Sequence, residues 1–309
     1  MDKNDKYKII KEIGIGLMGT VYLVEKSNNK YAMKIEKILK KQCVESLKYD
    51  IWREIEFSNT MSKYPNHFMK LYDHWINKDC NHIQNWNKIG MKLEFFNKSA
   101  QKYYKSLIDS SYCSIKVYSI VDTTLKNIAN KLTKEEYNDI FIQCLYVMYL
   151  CNKSGYLHRD WKMDNIGLNK TENKYIDIFD FKVKTHGYIV VLLDYGAIIH
   201  KKYILSAYEK KIFTSKLTDL FFMFDRYKYN MIYNFKKVER KHGINNIEPI
   251  KINENMDKYL PKFNVNNKVL EQYIYKIKHY KPDLLLPEQT IEQLIKNIYN
   301  IKRCIKLLC

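Results

Sequence analysis

The first forty residues alternate between short apolar runs and turn residues, a pattern typical of strands. Three strands are predicted, at Ile9–Ile10, Val21–Val24 and Tyr31–Ile35. A glycine-containing turn at 14–19 separates the first two strands, and a polar turn at 26–30 separates the second from the third. Because both connections are short, we expect these strands to form a small antiparallel sheet.

The period of the pattern changes after this sheet. Apolar residues spaced three and four apart predict a helix over 44–62, which the pair Pro65–Asn66 ends. Strand patterns return at 68–75 and 114–121. The polar stretch between these two strands, residues 77–105, favours an extended loop or an insertion.

The second part of the chain has a mainly helical pattern. Apolar residues recur at spacings of three and four through 134–154, which predicts a buried helix that ends at Gly155. Two strands are predicted after this helix, at 175–181 and 187–193. Helical segments are predicted at 217–227 and from 228 onwards. A small antiparallel sheet with one helix, followed by a larger helical part, predicts the α+β fold class.

Length and composition favour a folded protein. The chain has 309 residues, 46% of them hydrophobic, which is enough for one large domain or for two lobes around a cleft. Its start has no secretory leader pattern, and no apolar run approaches the ~20 residues that cross a bilayer. We therefore expect a soluble intracellular protein, in the cytoplasm or nucleus, with no membrane partner. Seven scattered cysteines without a C-x-x-C pair favour reduced thiols.

The chain is strongly basic. Lysine and arginine outnumber aspartate and glutamate by 53 to 34, which gives a net charge of +19. A field of this sign attracts nucleic acids, acidic proteins and anionic surfaces. No aromatic-interleaved basic motif supports nucleic-acid binding, so a solvated basic surface is the simpler interpretation. An acidic protein partner stays open, and the composition indicates no oligomeric state.

The turn between the first two strands has the pattern G-x-G-x-x-G-x-V, formed by Gly14, Gly16, Gly19 and Val21. Glycines allow backbone N–H groups to approach phosphates closely, because no Cβ intervenes. An ordinary glycine hairpin and a dinucleotide-binding turn share parts of this pattern, but a dinucleotide turn opens a helix rather than a strand. The position between two strands favours a loop that covers phosphates.

Lys34 is a cation inside an apolar strand pattern. Burial of an ammonium group is costly unless anions surround it, and phosphates together with a carboxylate would provide them. The helix at 44–62 offers Glu54 as the carboxylate, with Glu56 as the second choice. The alternative is a lysine that extends from a strand edge into solvent.

Residues 158–165 form the sequence H-R-D-W-K-M-D-N, directly after the predicted buried helix. Phosphoryl transfer to a hydroxyl needs a proton acceptor, a cation near the transferred group and a metal ligand. Asp160, Lys162 and Asn165 meet these needs within one short loop, and the alternative is a polar surface loop. Asp194 follows a buried strand pattern and precedes Gly196, which suits either a metal ligand or a plain turn.

These motifs together resemble the eukaryotic-type protein kinase superfamily, over about Lys11–Asp225. The resemblance implies a bilobal fold in a single domain over 1–309, with an N-lobe at 1–121, a hinge near 119–122 and a C-lobe at 123–309. It also implies ATP as cofactor, with Mg²⁺ or Mn²⁺, and a protein substrate.

The resemblance further implies roles for single residues. The implied nucleotide-binding residues are Gly14, Gly16, Gly19, Val21, Ala32, Lys34, Tyr118, Ser119 and Val121. The implied catalytic residues are Lys34, Glu54, Asp160 and Lys162, and the implied metal ligands are Asn165 and Asp194. Asp160 would be the base and Lys162 would steady the γ-phosphate. Asp219 resembles a buried aspartate that anchors the loop around Asp160.

The sequence also departs from typical members of the superfamily. Asn165 and Asp194 are 29 positions apart, about twice the usual spacing, so that 169–186 is predicted to be an inserted hairpin. No A-P-E triplet follows Asp194, and Asp219 comes only 25 positions later. These departures resemble haspin-type kinases and the divergent kinases of large DNA viruses, for which a virion or viral factory would be the location.

The sequence thus predicts an ATP-dependent Ser/Thr protein kinase, because Lys162 is the residue usual in Ser/Thr kinases. Two alternatives stay open. The absence of the A-P-E triplet would also suit a kinase-like enzyme that phosphorylates a small molecule. A basic surface would suit a non-catalytic ATP-binding or scaffolding protein.

Overall fold

A computed structural model of the chain describes residues 6–16, 19–80, 98–203, 292, 295 and 296. The chain divides into two compact units, Met1–Val121 and Asp122–Cys309. The predicted helical segments at 217–227 and from 228 onwards, and with them Asp219, lie outside the described residues. Within the described residues, no helix is both long enough and apolar enough to cross a bilayer.

The first unit contains a five-stranded antiparallel sheet with the strand order β1-β2-β3-β5-β4. Its strands are β1 (Lys8–Ile15), β2 (Gly19–Lys26), β3 (Asn29–Lys37), β4 (Leu71–Asn77) and β5 (Cys113–Tyr118). Its helices are α1 (Asp50–Met61) and α2 (Lys98–Ile108), and a 3₁₀ turn spans Lys40–Cys43. The predicted small antiparallel sheet is therefore confirmed.

The two faces of this sheet differ in polarity, because successive side chains of a strand point to opposite faces. Along β3, Ala32, Lys34 and Glu36 lie on one face. The other face carries the hydrophobic core of the unit, which includes Val24, Met33, Ile35, Ile115 and Val117. The sheet therefore separates a charged face from an apolar one.

Helix α1 packs beside the end of β3. Ile51, Trp52 and Ile55 form a buried apolar cluster with Ile38, and the Trp52 indole Nε1 donates to the Gln42 carbonyl at 2.9 Å. Burial of this apolar stripe fixes the face that α1 turns to the rest of the unit. The helix begins at Asp50, not at residue 44 as predicted, because 3₁₀ and turn structure occupies the residues before it.

The stretch predicted as a loop between β4 and β5 ends in a helix, α2, which corrects that prediction over 98–105. The sequence of α2, K-S-A-Q-K-Y-Y-K-S-L-I, has few strongly apolar residues. Its residues Tyr103, Tyr104, Leu107 and Ile108 nevertheless stand at helical spacing, a signal that the interpretation of 77–105 as one polar stretch overlooked.

Cys80 and Cys113 form a disulfide with their Cα atoms 6.0 Å apart, which corrects the expectation of reduced thiols. Cys113 begins β5 and pairs with Asn77 at the end of β4. Just beyond β4, the Cys80 N–H donates to the Ser111 carbonyl at 3.0 Å. Strand pairing thus brings together two cysteines that are 33 positions apart, and their spacing in the sequence gives no sign of it.

The continuously described part of the second unit, residues 122–203, contains one long buried helix, one short helix and several short strands. Among residues 122–203, its helices are α3 (Leu125–Ile128) and α4 (Lys134–Lys153). Its strands are β6 (Thr123–Thr124), β7 (Tyr156–Leu157), β8 (Ile166–Lys170), β9 (Tyr175–Ile178), β10 (Phe181–Lys184), β11 (Tyr188–Leu192) and β12 (Ile199–His200). Strands β11, β8 and β6 form one antiparallel sheet, and β12 pairs with β7. With the first unit, these elements give the predicted α+β fold.

Helix α4 matches the predicted buried helix over 134–154. It starts with a capping box, in which Thr133 Oγ1 accepts from the Glu136 N–H at 3.3 Å and a Glu136 carboxylate oxygen accepts from the Thr133 N–H at 2.7 Å. Its buried residues include Ile140, Leu145, Val147 and Met148. The helix leads directly into β7 and the H-R-D loop.

Strands β9 and β10 form an antiparallel hairpin between β8 and β11, which confirms the hairpin predicted within 169–186. The predicted single strand at 175–181 is instead two strands, since the chain turns back at Phe179, where φ is 56°. The Phe179 ring packs edge-on against Tyr149 of α4, with the ring centroids 4.8 Å apart. His186 Nε2 lies 2.8 Å from a carboxylate oxygen of Asp139, so the hairpin is held against α4 at both ends.

Candidate active site

In the first unit, Lys34 and Glu54 form an ion pair between β3 and α1. The Lys34 ammonium lies 3.2 and 3.4 Å from the two carboxylate oxygens of Glu54. The alternation of β3 points Lys34 toward α1, and the apolar packing of α1 points Glu54 back toward the sheet. Glu56, the second choice from the sequence, accepts from Thr60 Oγ1 on its own helix at 3.5 Å.

Two further charged residues complete a buried cluster that the sequence interpretation missed. Glu36 lies 2.8 Å from the Lys34 ammonium, and Lys116 of β5 contacts the carboxylates of both Glu36 and Glu54. Lys116 is fully buried. It stands in the apolar strand pattern S-I-K-V-Y, the same signal that drew attention to Lys34, and that signal could have found it.

The Glu36 carboxyl of this cluster is held in its ionised form by its neighbours. Burial alone raises the pKa of the Glu36 carboxyl, but the adjacent ammonium groups of Lys116 and Lys34 outweigh burial, so the pKa lies below its ordinary value. Glu54 also accepts a hydrogen bond of 3.0 Å from the Tyr118 hydroxyl. Four charged side chains and one hydroxyl therefore form ion pairs and hydrogen bonds with one another on the charged face of the sheet.

The three glycines of the turn differ in what surrounds them. A Cβ on Gly19 would collide with the Ile35 carbonyl and with Glu36, because Gly19 pairs with Glu36 across β2 and β3. A Cβ on Gly14 or Gly16 would meet only ordinary contacts, at 3.8 Å from Val21 and 3.5 Å from the Gly19 oxygen. Gly19 is thus required by the packing of the sheet, whereas the other two are not.

The remaining predicted nucleotide residues lie on β2, on β3, and at or after the end of β5. Val21 pairs with Lys34, and Ala32 pairs with Tyr118, so all four side chains lie on the charged face of the sheet. Tyr118 is buried, with its hydroxyl on Glu54. After β5, the Ser119 N–H donates to the Lys70 carbonyl at 2.9 Å, and Ser119 Oγ accepts from the Lys70 N–H at 3.1 Å. Val121 is partly exposed at the end of the unit.

In the second unit, the H-R-D loop brings two predicted residues, Lys162 and Asn165, to the carboxylate of a third, Asp160. Asp160 Oδ2 lies 2.6 Å from the Lys162 ammonium and accepts from the Asn165 side-chain amide at 2.8 Å. The same amide donates to the Asp160 carbonyl at 2.9 Å. The Asp160 side chain is partly exposed, so it is held in place yet open to solvent.

Buried neighbours fix the backbone of this loop. The Asp160 N–H donates to His158 Nδ1 at 3.3 Å, so Nε2 carries the ring proton and donates to the Leu193 carbonyl at 3.1 Å. Arg159 has a φ of 65°, and its Nε donates to the Ala197 carbonyl at 2.7 Å. The loop is therefore joined to the segment around Asp194 at two points.

Asn165 and Asp194 come from the same edge of a sheet. Strands β8 and β11 pair Ile166 with Leu192, and the Leu193 N–H donates to the Asn165 carbonyl at 2.9 Å. Asp194 is exposed and has a φ of 55°, an uncommon conformation for a residue other than glycine. This conformation turns the chain sharply after β11, and the carboxylate accepts from the Gly196 N–H at 3.4 Å.

Each unit thus assembles its own set of the predicted residues. Lys34 and Glu54 meet in the first unit, and Asp160 lies with Lys162 and Asn165 in the second. A family model for the protein kinase domain matches residues 7–187, which is more than half of the chain. The matched span includes the glycine turn and the H-R-D loop and ends before Asp194. No curated protein matches the chain.

Proposed function

This chain belongs to the protein kinase family, and we propose that it transfers the γ-phosphate of ATP to serine and threonine hydroxyls of proteins. Members of this family are phosphotransferases that use ATP and a divalent metal. The observation that supports the proposal best is the Asp160 carboxylate, held by Lys162 and Asn165 and still open to solvent. A general base needs this combination of fixed position and access.

Asp160 would accept the proton of the substrate hydroxyl as its oxygen attacks the γ-phosphorus. Lys162, 2.6 Å from Asp160 Oδ2, would steady the negative charge on the transferred phosphoryl group. The bond from phosphorus to the bridging oxygen of ADP breaks, and the proton stays on Asp160 until solvent removes it. Lysine at position 162 also supports the choice of serine and threonine over tyrosine.

The donor set of Asn165 and Asp194 fits Mg²⁺, and equally Mn²⁺, because both side chains offer oxygen ligands. Asn165 uses its amide N–H groups on Asp160, so its side-chain carbonyl oxygen is the atom it offers to a metal. The bound metal would neutralise charge on the phosphates. Asp194, in its left-handed conformation, would present its carboxylate from the same sheet edge as Asn165.

The first unit would hold the nucleotide. Lys34, oriented by Glu54, would bind the α- and β-phosphates, and Gly14 and Gly16 would allow close approach of the loop backbone. Val21, Ala32 and the segment from Tyr118 to Val121 would contact the base. We further propose that 1–121 and 123–309 are the N- and C-lobes of one protein kinase domain.

Phosphate transfer from labelled ATP tests this proposal. The protein is incubated with Mg²⁺ and with acidic and basic model proteins, and we expect label on serine and threonine that chelation of the metal abolishes. Asp160→Asn should reduce transfer at least ~10³-fold, since the base is lost while the hydrogen-bonding shape remains.

Asp164→Asn is the matched control. Asp164 lies on the same loop but is exposed and forms a surface ion pair with Lys126 at 2.6 Å, so its loss should leave transfer unchanged. Transfer that survives Asp160→Asn would contradict the role of the base. Transfer to small hydroxyl compounds, with none to proteins, would favour a small-molecule kinase. A melting temperature that Mg-ATP does not raise would favour a non-catalytic protein.

A further inference from the structure

The second buried lysine, Lys116, stands directly opposite Lys34. Register pairs the two residues across β3 and β5, so their side chains leave the same face of the sheet side by side. Like charges placed in this way repel each other unless carboxylates lie between them. Glu36 and Glu54 fill this role, and each contacts both ammonium groups.

The two lysines differ in access. The Lys34 side chain is 15% exposed, whereas Lys116 is fully buried. A ligand can therefore reach the Lys34 ammonium, but it cannot reach Lys116. Any effect of Lys116 on a bound nucleotide must pass through the residues that Lys116 contacts.

Those contacts point to Glu54. Its carboxylate is almost fully buried and receives Lys116 and the Tyr118 hydroxyl from β5, in addition to Lys34 from β3. A buried carboxylate with two partners on β5 stays against the sheet even when Lys34 turns to a phosphate. Breaking a buried ion pair leaves a charge without its counterpart, so the loss of Lys116 should strongly destabilise the position of the Glu54 carboxylate.

We propose that Lys116 is a positioning residue that fixes Glu54, and through it Lys34, in the geometry that binds the nucleotide phosphates. The inference rests on the proposed function in one respect, because it takes Lys34 as the residue that binds phosphate. A simpler role for Lys116 would be to offset the charge of Glu36, with no influence on Lys34.

A double-mutant cycle separates these roles. The affinity for a fluorescent, non-hydrolysable ATP analogue with Mg²⁺ is measured for the wild-type protein, Lys116→Met, Glu54→Gln and the double variant. If Lys116 acts through Glu54, Lys116→Met weakens binding about tenfold in the wild-type background and less than about twofold in the Glu54→Gln background. Equal losses in both backgrounds, or no loss in the first, would overturn the proposal.

Charge-balanced variants keep the test decisive if Lys116→Met fails to fold. Glu36→Gln combined with Lys116→Met removes one charge of each sign and leaves Glu54 in place. Its affinity should still be about tenfold below that of Glu36→Gln alone, because Glu54 has lost its charged partner on β5 and keeps only the Tyr118 hydroxyl there. Equal affinities would show that Lys116 only offsets Glu36.

Lys37→Met is the matched control for loss of a buried lysine from the same sheet. The Lys37 ammonium donates to the Ser110 carbonyl, away from Glu54, so nucleotide affinity should be unchanged. Binding of the analogue requires no catalysis, so this test is separate from that of the proposed function. A protein whose nucleotide affinity depends on Lys116 as expected, but which transfers no phosphate, would refute the proposed function and leave this inference standing.

Discussion

At the scale of single residues, the glycine turn combines two different requirements in one motif. Gly19 lies where β2 and β3 approach so closely that a Cβ would strike the Ile35 carbonyl. Gly14 and Gly16 have room for a Cβ, and neither has a positive φ that would exclude alanine. The protein's own packing therefore explains Gly19, whereas Gly14 and Gly16 are the two that the proposed phosphate binding would use.

Alanine substitutions should separate these requirements. Gly19→Ala should lower the free energy of unfolding by about 1–3 kcal/mol, because backbone atoms must shift to admit the methyl group. Gly16→Ala should leave stability unchanged and raise the KM for ATP several-fold. Denaturant unfolding and steady-state kinetics of both variants would measure the two effects. A Gly19→Ala protein as stable as wild type would contradict the close approach of the strands.

Residue chemistry made part of the site predictable from sequence. A lysine in an apolar strand demands an anion, which led to Lys34 and to Glu54 on the following helix. Lys116 satisfies the same criterion and could have been singled out in the same way, but its partners could not have been named from the sequence. Its contacts depend on the register of β3 with β5, which pairs residues more than eighty positions apart.

At the scale of secondary-structure elements, the disulfide between Cys80 and Cys113 ties the end of β4 to the start of β5. The bond closes a loop of 33 positions that includes α2. Such a link stabilises a protein mainly by restricting the unfolded chain. It therefore strengthens the sheet without touching the charged face that carries Lys34.

Reduction should weaken the fold but not the site. A reductant that opens the disulfide is expected to lower the free energy of unfolding by about 3–4 kcal/mol. The double variant Cys80→Ser/Cys113→Ser should unfold at that lower value with or without reductant. Chemical denaturation of both proteins provides the measurement, and superimposable curves for the oxidised and reduced wild-type protein would contradict the expected contribution.

Elements were predictable where their patterns were strong. The apolar spacing through 134–154 predicted α4 almost to the residue. The hairpin of β9 and β10 was predictable as an insertion from the spacing of Asn165 and Asp194, but its turn at Phe179 was not, since phenylalanine at positive φ is rare. Helix α2 was missed although Tyr103, Tyr104, Leu107 and Ile108 stand at helical spacing, because the polar residues around them favoured a loop.

At the scale of the whole molecule, the net charge of +19 bears on the choice of protein substrate. Long-range attraction raises the rate of encounter with acidic proteins, and salt screens it. We therefore expect acidic acceptor proteins to be phosphorylated more efficiently than neutral ones at low ionic strength.

Salt dependence should reveal this steering. The kcat/KM for an acidic acceptor should fall about tenfold as ionic strength rises from about 0.05 to about 0.3 M, because the screening length shortens. The kcat/KM for a neutral acceptor peptide should change little over the same range. Parallel salt curves for the two acceptors would show that the surface charge plays no part in substrate choice.

The four-residue cluster of Lys34, Glu36, Glu54 and Lys116 also bears on how such a sequence can change over generations. Its two ammonium and two carboxylate groups cancel, so losing one member leaves a buried charge without its counterpart. Lys34 and Glu54 are tied to the proposed reaction, so a charge lost at position 116 or 36 can be balanced only at the other of these two positions, at a cost in the positioning of Glu54. Among relatives of this chain, these two positions should therefore be inherited together, with an uncharged residue at one accompanied by an uncharged residue at the other.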